Sequence, residues 1–488
     1  MRILLKTIGL FLLLTTSCSE FLVVEPDRQV SITEQFSSRE GIFQAVNGMY
    51  YSMEGILSDR MYLYGDLLGG NLTFTPSPND LVIEVPPGID ISRIYEFQDV
   101  ADNSDMEIIY DDCYGIINEA NLIIQYASDN ALLTEAEADQ VVAEALACRA
   151  FMHYIVAIHY AQNYSFTPAA SHPGIVYNTR TIVAGVDFPS RLNMAETYSL
   201  MKEDFESALS LFSDQQALDY GPSYSYFNRM TTAAVYAKAA LQMNDWESAY
   251  RLADSVILNA GISLMDGDSY INEWDKPEDP VSEVILELSA PRTSDDGQVS
   301  SSIGYSFFNY VDPTNYNEFV ASGDLLALYD TNDIRRDMFL EIMLPVSVDG
   351  VVGNQEFYFT RKFQDAPGLP LSRMSEMYLI RAEAAARIEG ANLGAARSDL
   401  NVIRERAGLD PVDGSADLLE EIFLERRREL AFEGFLFFDI ARYQKDVERD
   451  LGCIATTCNL SYPSDYFVLP IPESSTSLNE NMEQNEGY

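Results

Sequence analysis

The chain has 488 residues, of which 47% are hydrophobic, and a formal net charge of −45 at pH 7. The hydrophobic content excludes an intrinsically disordered protein, and the length exceeds the ~250–300 residues that a single core usually organises. The negative charge repels nucleic acid and anionic lipid head groups, so the composition argues against binding to either.

The N-terminal residues have the pattern of a bacterial lipoprotein signal. A short basic start precedes an apolar run at residues 8–14, which is shorter than the ~20 residues needed to span a bilayer. Three small residues and then Cys18 follow this run. We therefore expect residues 1–17 to be a signal peptide, Cys18 to carry lipid, and residues 18–30 to form a tether. The alternative is an ordinary cleaved signal in which Cys18 has no role.

Helical periodicity is clear in several parts of the chain. Residues 31–60 are predicted to be helical, and a long run from Glu135 to Tyr160 keeps helical spacing. The clearest helix is predicted at 194–212. Asn193 precedes it and Glu196 stands at its third position, which is a capping-box arrangement.

Helical hairpins are predicted in the middle and near the end of the chain. In the first, a turn at 244–245 separates an alanine-rich arm from an arm that carries Trp246 and Tyr250. Small residues that face large ones are typical of tetratricopeptide-type hairpins. A similar hairpin is predicted at 374–407, and a further helix at 418–432. The pattern predicts a mainly α fold, a tetratricopeptide-like helical-hairpin superhelix with a loop-rich insertion and minor β structure.

Two long segments lack this periodicity. Residues 62–106 are rich in Gly, Pro, Asn and Asp, and residues 262–370 contain only short strand-like runs, at 284–288 and 357–359. Such segments commonly carry recognition while helices act as a scaffold. We therefore predict one domain, residues 31–488, after the tether. Its helical scaffold is predicted at about 31–60, 107–261 and 371–445, and its loop-rich ligand face at about 62–106 and 262–370.

Aromatic residues within these irregular segments are candidates for sugar binding. Sugar C–H faces stack on rings, and sugar hydroxyls need polar partners beside them. We expect recognition by the segments around 64–97 and 270–316, although the same rings could instead form the insertion's own core. The candidate stacking residues are Trp274, Tyr305, Phe308 and Tyr310. The candidate residues for the facing side are Asn79, Arg93 and Tyr95.

The sequence contains no motif that indicates catalysis, a cofactor or a metal. It has no GxSxG elbow, no P-loop and no HExxH motif. Asp266, Asp268 and Asn272 resemble part of a calcium loop, but the required glycine and distal glutamate are missing. We therefore predict neither an enzyme nor a cofactor, and we assign no metal ligands.

The cysteines fall into two groups apart from Cys18. Cys453 and Cys458 flank a short polar turn and could form a disulfide outside the cytoplasm. Cys113 and Cys148 lie in apolar, helix-like segments, where buried thiols are expected, although their pairing is the alternative.

Several motifs occur in a fixed order behind the predicted lipid site. They are RLNMAETY at 191–198, RMSEMYLIRAEAAAR at 373–387, LNVIRERAGL at 400–409, ERRRELAFEG at 425–434 and LPIPESS at 469–475. In this order they resemble the SusD/RagB family of outer-membrane nutrient-binding lipoproteins. One departure is LFFDIARY at 436–443, where the family often has an Arg-Trp pair ahead of the Asp; this sequence has Phe437-Phe438 but keeps Asp439 and Arg442.

The resemblance implies a location and a function. Members of this family lie on the cell outer membrane, are lipid-anchored and face the cell exterior. They bind oligosaccharides or other nutrients, cap a SusC-like TonB-dependent transporter and are not enzymes. The alternatives are a component of a peptide-uptake complex or, less favoured, an extracellular hydrolase with an unrecognised carboxylate pair.

The charged side chains at 425–434 indicate that this stretch has a structural role. Three arginines and three glutamates at this position can pair within the helix and with neighbouring helices, for example with Arg381 and Glu383. We predict that these pairs lock the late helices and the extended tail together.

Overall fold

The computed structural model describes residues 31–86, 91–128, 130–183, 185–219, 221–275, 280–288, 307–364 and 368–488. Cys18 and Tyr305 lie outside these residues. The chain divides into two units, residues 1–45 and residues 46–488. The described part of the first unit contains helix α1 (Ile32–Gln35), whose N-cap is Ser31, and the start of α2 (Arg39–Ile56).

The second unit is built mainly from helices. A π-helical turn, Leu57–Met61, joins α2 to the next helix. The helices that follow are α3 (Tyr62–Gly69), α4 (Ser92–Tyr95), α5 (Glu107–Ala127), α6 (Glu135–Tyr160), α7 (Met194–Leu211), α8 (Arg229–Gln242), α9 (Trp246–Asn259), α10 (Tyr270–Trp274), α11 (Gly323–Leu326), α12 (Met374–Arg387), α13 (Leu393–Arg406), α14 (Leu418–Glu429), α15 (Leu436–Arg442) and α16 (Glu473–Leu478).

Side-chain caps explain where the long helices begin. The predicted capping box of Asn193 and Glu196 is present at α7, so the helix predicted at 194–212 is confirmed to within one residue. Thr134 and Glu137 form a second capping box, which fixes the start of α6 at the predicted position. These interactions are local in sequence, and therefore the sequence reveals them.

The long helices from α5 to α9 each pack against the next one in the chain. Helix α9 then packs against α12, so the scaffold continues across the insertion that separates them. Helix α12 also contacts α13 and α14. The predicted hairpins at 229–259 and 374–407 are thus present, and the insertion leaves the scaffold after α9 and returns to it at α12.

The strands form four two-stranded antiparallel sheets within the described residues. The pairs are β1–β5, β2–β8, β3–β4 and β6–β7, and the strands are β1 (Leu72–Phe74), β2 (Val284–Leu288), β3 (Tyr310–Asp312), β4 (Asn315–Tyr316), β5 (Phe319–Ala321), β6 (Phe339–Val348), β7 (Val351–Thr360) and β8 (Leu369–Arg373).

Two expectations for the irregular segments need correction. Residues 62–69 form the helix α3 rather than a loop; all eight residues are buried, so no amphipathic stripe marks the helix in the sequence. The strand-like run at 357–359 is the end of the ten-residue strand β7, which forms a long hairpin with β6. The first six residues of β7 are exposed, and Gly-Asn-Gln-Glu at 353–356 separates its two valines from the apolar run at its end, so no continuous hydrophobic pattern marks the strand.

Helix α6 is the described helix whose length and apolar composition would permit a membrane span, but 89% of its apolar window is buried inside the protein. It is therefore the central helix of the scaffold.

The states of the four described cysteines are among those that the sequence allows. Cys453 and Cys458 form a disulfide, and Cys113 and Cys148 are buried free thiols. Among the described residues, no group of three or more His, Cys, Asp or Glu side chains could hold a metal ion.

A buried ionic network joins the insertion to the late helices. Arg335 pairs with Asp333 at 2.8 Å, with Glu425 at 2.7 Å and with Glu429 at 3.0 Å. Arg373, which precedes α12, pairs with Glu429 at 3.2 Å. Glu425 and Glu429 are completely buried, so only their cationic partners compensate their charge.

Further pairs extend this network to α15 and the loop before it. The Glu433 carboxylate forms ion pairs with the Arg373 guanidinium and the Lys362 ammonium, each at 2.7 Å. Arg442 binds Glu383, and it reaches Asp439 at 2.8 Å. The predicted pairing of residues 425–434 with neighbouring elements is thus present.

The two partners named from the sequence, Arg381 and Glu383, form their ion pairs outside residues 425–434. Glu383 pairs with Arg387 at 2.8 Å and with Arg442. Arg381 forms its ion pairs with Asp254 and Asp399, each at 2.7 Å, rather than with the charged residues of α14. Its position on α12 directs it toward α9 and α13.

Candidate ligand-binding site

Three of the predicted ligand-binding rings belong to one buried chain of aromatic side chains. Each ring in the chain contacts the next, with centroid separations of 4.9 to 6.4 Å. This series of rings connects the segment before α5 to the insertion. In order, its members are Tyr95, Phe74, Phe319, Phe307, Phe308, Phe363 and Trp274.

Burial corrects the assignment of Trp274 and Phe308 as stacking residues and of Tyr95 to the facing side. Tyr95 and Phe308 are each 1% exposed, and Trp274 is 7% exposed. A ring must offer a face to solvent before a sugar can stack on it. These three side chains therefore form core, as the alternative interpretation of the aromatic residues predicts.

Trp274 connects the aromatic chain to the ionic network. The Lys362 ammonium lies 5.2 Å, and the Arg373 guanidinium carbon 5.4 Å, from the centroid of its ring. Both cations face the ring's negative surface, which is a stabilising cation–π arrangement. The indole Nε1 has no hydrogen-bond partner among the described residues. These contacts give Trp274 a structural role.

Arg93 is held by acidic side chains close to it in sequence. Its guanidinium pairs with Asp105 at 2.6 Å and lies 3.9 Å from Asp99. Asp99 also accepts hydrogen bonds from Ser104 and from the backbone N–H of Val100. These contacts fold residues 99–105 around Arg93.

Tyr95 lies beneath the disulfide loop. The Arg449 guanidinium carbon is 4.4 Å from the Tyr95 ring centroid and 4.5 Å from that of Phe97. The backbone N–H groups of Thr456 and Thr457 donate to the carboxylate of Glu96. The loop that the disulfide closes is thereby fixed to the segment around Tyr95, and burial lowers the pKa of Arg449 to about 10.

The turn that carries Asn79 and the strand that carries Tyr310 pack on the same small core. Residues 76–83 form a turn that is bound to β6, because the Ser347 N–H donates to the Leu81 carbonyl at 2.7 Å. Ile83 at the end of this turn and Tyr310 on β3 both pack against one apolar cluster. The Tyr310 ring lies 5.0 Å from that of Phe359 in this cluster. We name the surface formed by residues 75–83 and 309–318 the loop face.

The loop face offers the groups that a neutral sugar requires. Tyr310 is half-buried, so part of its ring remains accessible. Asn79 and Asn315 are exposed, and neither side chain makes a hydrogen bond with the part of the chain that the structure describes. Amide groups can both donate to and accept from hydroxyls. Neither segment contains Lys, Arg or His, so the surface does not attract anions.

Two carboxylates of the loop face differ in pKa. The side chain and N–H of Thr314 donate to Asp312 at 2.7 and 2.8 Å, which lowers the pKa of Asp312. Burial raises the pKa of Glu318. Sequence analysis did not single out Asp312 or Asn315, although the Asp-Pro-Thr-Asn turn that holds them is a recognisable signal.

Comparisons with known proteins identify similar families and folds. Residues 20–243 match a family model described as starch-binding and associating with the outer membrane, and residues 299–488 match the model of the SusD family. The SusD-like protein P25 of Formosa agariphila is 23% identical over 538 aligned residues, which cover 97% of each chain. The starch-binding protein SusD of Bacteroides thetaiotaomicron is 36% identical over 127 residues, which cover 25% of this chain and 21% of that protein.

Solved structures share the fold over almost the whole chain. A SusD superfamily protein from Bacteroides thetaiotaomicron superposes with a TM-score of 0.78 at 24% identity, covering 92% of this chain and 99% of that chain. One from Bacteroides vulgatus gives a TM-score of 0.79 at 22% identity with the same coverage. The predicted mainly α fold with minor β structure is thus confirmed.

Proposed function

Because the chain belongs to the SusD/RagB family, we propose that it is a cell-surface lipoprotein that binds oligosaccharides and delivers them to a SusC-like TonB-dependent transporter. The observation that carries this proposal is the match of residues 20–243 to the family described as starch-binding and associating with the outer membrane. Binding alone does not move a ligand through a membrane, so delivery requires a transporter as partner.

The loop face is the proposed glycan-binding surface. The accessible part of the Tyr310 ring supplies an apolar contact, and Asn79 and Asn315 supply hydrogen bonds beside it. A few such groups on a rigid support are typical of sites that recognise small ligands. Tyr305 also remains a proposed contact, on the ground of its place in the sequence.

The sequence supports attachment to the outer membrane through Cys18. Stable anchoring of a lipoprotein takes more than one acyl chain, because a single chain gives only marginal membrane binding. Cys18→Ala is therefore expected to release the protein into the soluble fraction. Retention on the membrane after a salt wash, in cells that lack the transporter, would contradict the anchor.

The alternative function is a hydrolase, because two carboxyl groups of the loop face differ in pKa. A glycosidase needs two carboxyl groups on either side of the scissile bond, one of them with a raised pKa. Asp312 and Glu318 have pKa values shifted in opposite directions. The family favours binding, and an assay for new reducing ends distinguishes the two activities.

The proposal is tested with the full chain and a panel of neutral polysaccharides, in affinity gels that contain each polysaccharide in turn. We expect retardation by at least one polysaccharide and no new reducing ends on prolonged incubation. Release of reducing ends that Asp312→Asn or Glu318→Gln abolishes would establish the hydrolase. Binding of peptides without binding of any polysaccharide would establish a component of peptide uptake.

A further inference from the structure

A second cleft lies on the helical side of the protein. It occupies about 720 Å³ between α5, the segment 176–189 and α16. No residue of the loop face is among the described residues that line it. Its volume lies within the range of small-ligand sites, about 300–1,000 Å³. The lining residues on which the inference depends are Asp111, Tyr114, Asn118, Asn178, Phe188 and Ser475.

Hydrogen bonds between side chains and backbone hold the walls of this cleft together. The Tyr114 hydroxyl donates to the Val176 carbonyl at 2.9 Å, and the Asn118 Oδ1 accepts from the Ile182 N–H at 2.9 Å. Asn479, just beyond α16, donates to the Pro189 carbonyl at 2.7 Å. The cleft is thus formed before any ligand arrives, which reduces the cost of ordering on binding.

Polar groups that point to a ligand remain unused in the cleft. The Asn118 Nδ2, the side-chain amide of Asn178 and the carboxylate of Asp111 make no hydrogen bond with the described residues, and neither does the Ser475 hydroxyl. These groups include both donors and acceptors. The Phe188 ring stands beside them with 46% of its surface exposed. The cleft therefore combines an accessible ring with free hydrogen-bonding groups of both kinds.

The charges of the cleft narrow the class of ligand. None of the described lining residues is Lys, Arg or His, and Asp111 carries a raised pKa because of burial and the nearby charges of Glu107 and Asp112. An anionic ligand would meet the carboxylates of Asp111 and Asp187, and the Arg180 guanidinium is already engaged by Asp187 at 2.6 Å. A purely apolar ligand would remove Asn118 and Asn178 from water without giving them partners, which is costly.

We propose that this cleft is a second sugar-binding site, which takes a neutral, polyhydroxylated ring and acts independently of the loop face. The Phe188 ring packs against the sugar's C–H face, while Asn118, Asn178 and Asp111 bind its hydroxyls. The inference rests on the proposed function, since it assumes that the protein meets glycans. Two separate sites on one chain would allow a long glycan to be held at two points.

The test uses the full chain in a non-glycosidic detergent and a panel of neutral disaccharides of different linkage as probes. Binding is measured by saturation-transfer NMR and titration calorimetry for the wild type and for Asn178→Ala and Phe188→Ala. The matched control is Val186→Ala, because Val186 is 70% exposed, lies two residues from Phe188 and does not line the cleft. Tyr310→Ala reports on the loop face.

We expect at least one disaccharide whose affinity falls tenfold or more in Asn178→Ala and Phe188→Ala, and stays unchanged in Val186→Ala and Tyr310→Ala. Wild-type affinity in both cleft variants would overturn the second site, and so would the absence of disaccharide binding. Disaccharide and polysaccharide binding that Tyr310→Ala abolishes and Phe188→Ala preserves would overturn the second site alone, while the proposed function would stand. If the wild-type protein binds no glycan at all, both the second site and the proposed function would be overturned.

Discussion

The ring of Phe205 on α7 lies flat against the ring of Tyr236 on α8, with centroids 4.9 Å apart and planes inclined by 13°. Neither side chain is exposed to solvent. The contact therefore joins two neighbouring helices inside the scaffold, away from the surfaces proposed to bind glycans.

Phe205→Ala and Tyr236→Ala are each expected to cost about 3–5 kcal/mol in the free energy of unfolding, since each leaves a cavity between packed helices. Urea unfolding measures this change. Leu258→Ala on α9 is the control, because Leu258 is 69% exposed and should change stability by about 0.5 kcal/mol or less. An unchanged unfolding midpoint together with lost glycan binding would place the two rings in a ligand site instead.

The ionic network predicts unequal effects of two substitutions on the same helix. Glu429→Gln removes a fully buried carboxylate from beside Arg335 and Arg373, and it should destabilise the protein by about 3–5 kcal/mol. Glu420→Gln, at the other end of α14, breaks a half-exposed pair with Lys445 and should cost at most about 1 kcal/mol. Equal effects in urea unfolding would show that the buried pair contributes no more than a surface one.

The same network predicts loss of stability in acid. Neighbouring arginines lower the pKa values of Glu383, Glu425, Glu433 and Asp439 in the folded protein. A carboxylate whose folded pKa is depressed contributes stability above its unfolded pKa, about 4, and this contribution is lost as the pH falls through the folded value. Stability should therefore decrease steeply below about pH 4.5. A flat stability profile from pH 5 to pH 3 would contradict the network.

Glu144 predicts a pH dependence of the opposite sign. Burial raises the pKa of this carboxyl to about 8, although Tyr50 and Gln140 donate hydrogen bonds to it. The folded protein then holds a proton that the unfolded chain releases near pH 4.5, so stability falls as the pH rises from about 4.5 to 8.

Glu144→Gln should remove this decline. Relative to wild type, the variant should gain on the order of 3 kcal/mol between pH 5 and pH 8.5, as measured by urea unfolding at each pH. Glu420→Gln, which changes a half-exposed carboxylate, serves as the control and should follow the wild-type profile. Parallel profiles for Glu144→Gln and the wild type would mean that Glu144 is ionised in the folded protein at neutral pH.

Gly65 and Gly434 predict a steric effect where α3 meets the loop before α15. A Cβ on Gly65 would lie 1.9 Å from the Gly434 carbonyl oxygen, and Gly434 itself has a φ of +78°. Gly65→Ala should therefore destabilise the protein by about 1–3 kcal/mol. Gly55→Ala, in α2, meets no atom within 4 Å and should instead stabilise by about 0.5–1 kcal/mol. A stabilising Gly65→Ala would refute the close approach.

Local interactions are the part of this fold that the sequence predicts well. The capping boxes of Asn193 and Thr134 involve residues three positions apart, so they can be identified before any partner helix is known. The burial of Trp274 and Phe308 could not be predicted in this way. Glu273 and Asp275 flank Trp274, and Phe307 and Asn309 flank Phe308, so the local sequence does not distinguish core from surface. The rings that contact them, Phe363 and Phe432, lie more than 50 residues away in sequence.

Long-range packing also separates the predicted site residues into two groups. The turn at 76–83, which carries Asn79, and β3, which carries Tyr310, both pack on an apolar cluster that also includes residues of the β6–β7 hairpin. Arg93 instead pairs with Asp105, and Tyr95 packs against Arg449. A list of aromatic and polar residues in irregular segments cannot distinguish these two environments, because the distinction depends on long-range packing.

The most direct test of the central claim is calorimetric titration of the full chain, and of its Tyr310→Ala and Val311→Ala variants, with the polysaccharide fragment selected by the affinity gels. Val311 is the matched control because it neighbours Tyr310 and is 58% exposed. If the loop face binds glycan, Tyr310→Ala should weaken binding by about 1–3 kcal/mol at unchanged fold stability, while Val311→Ala binds like the wild type. Wild-type affinity in a folded Tyr310→Ala variant would contradict the assignment of the loop face as the glycan-binding surface.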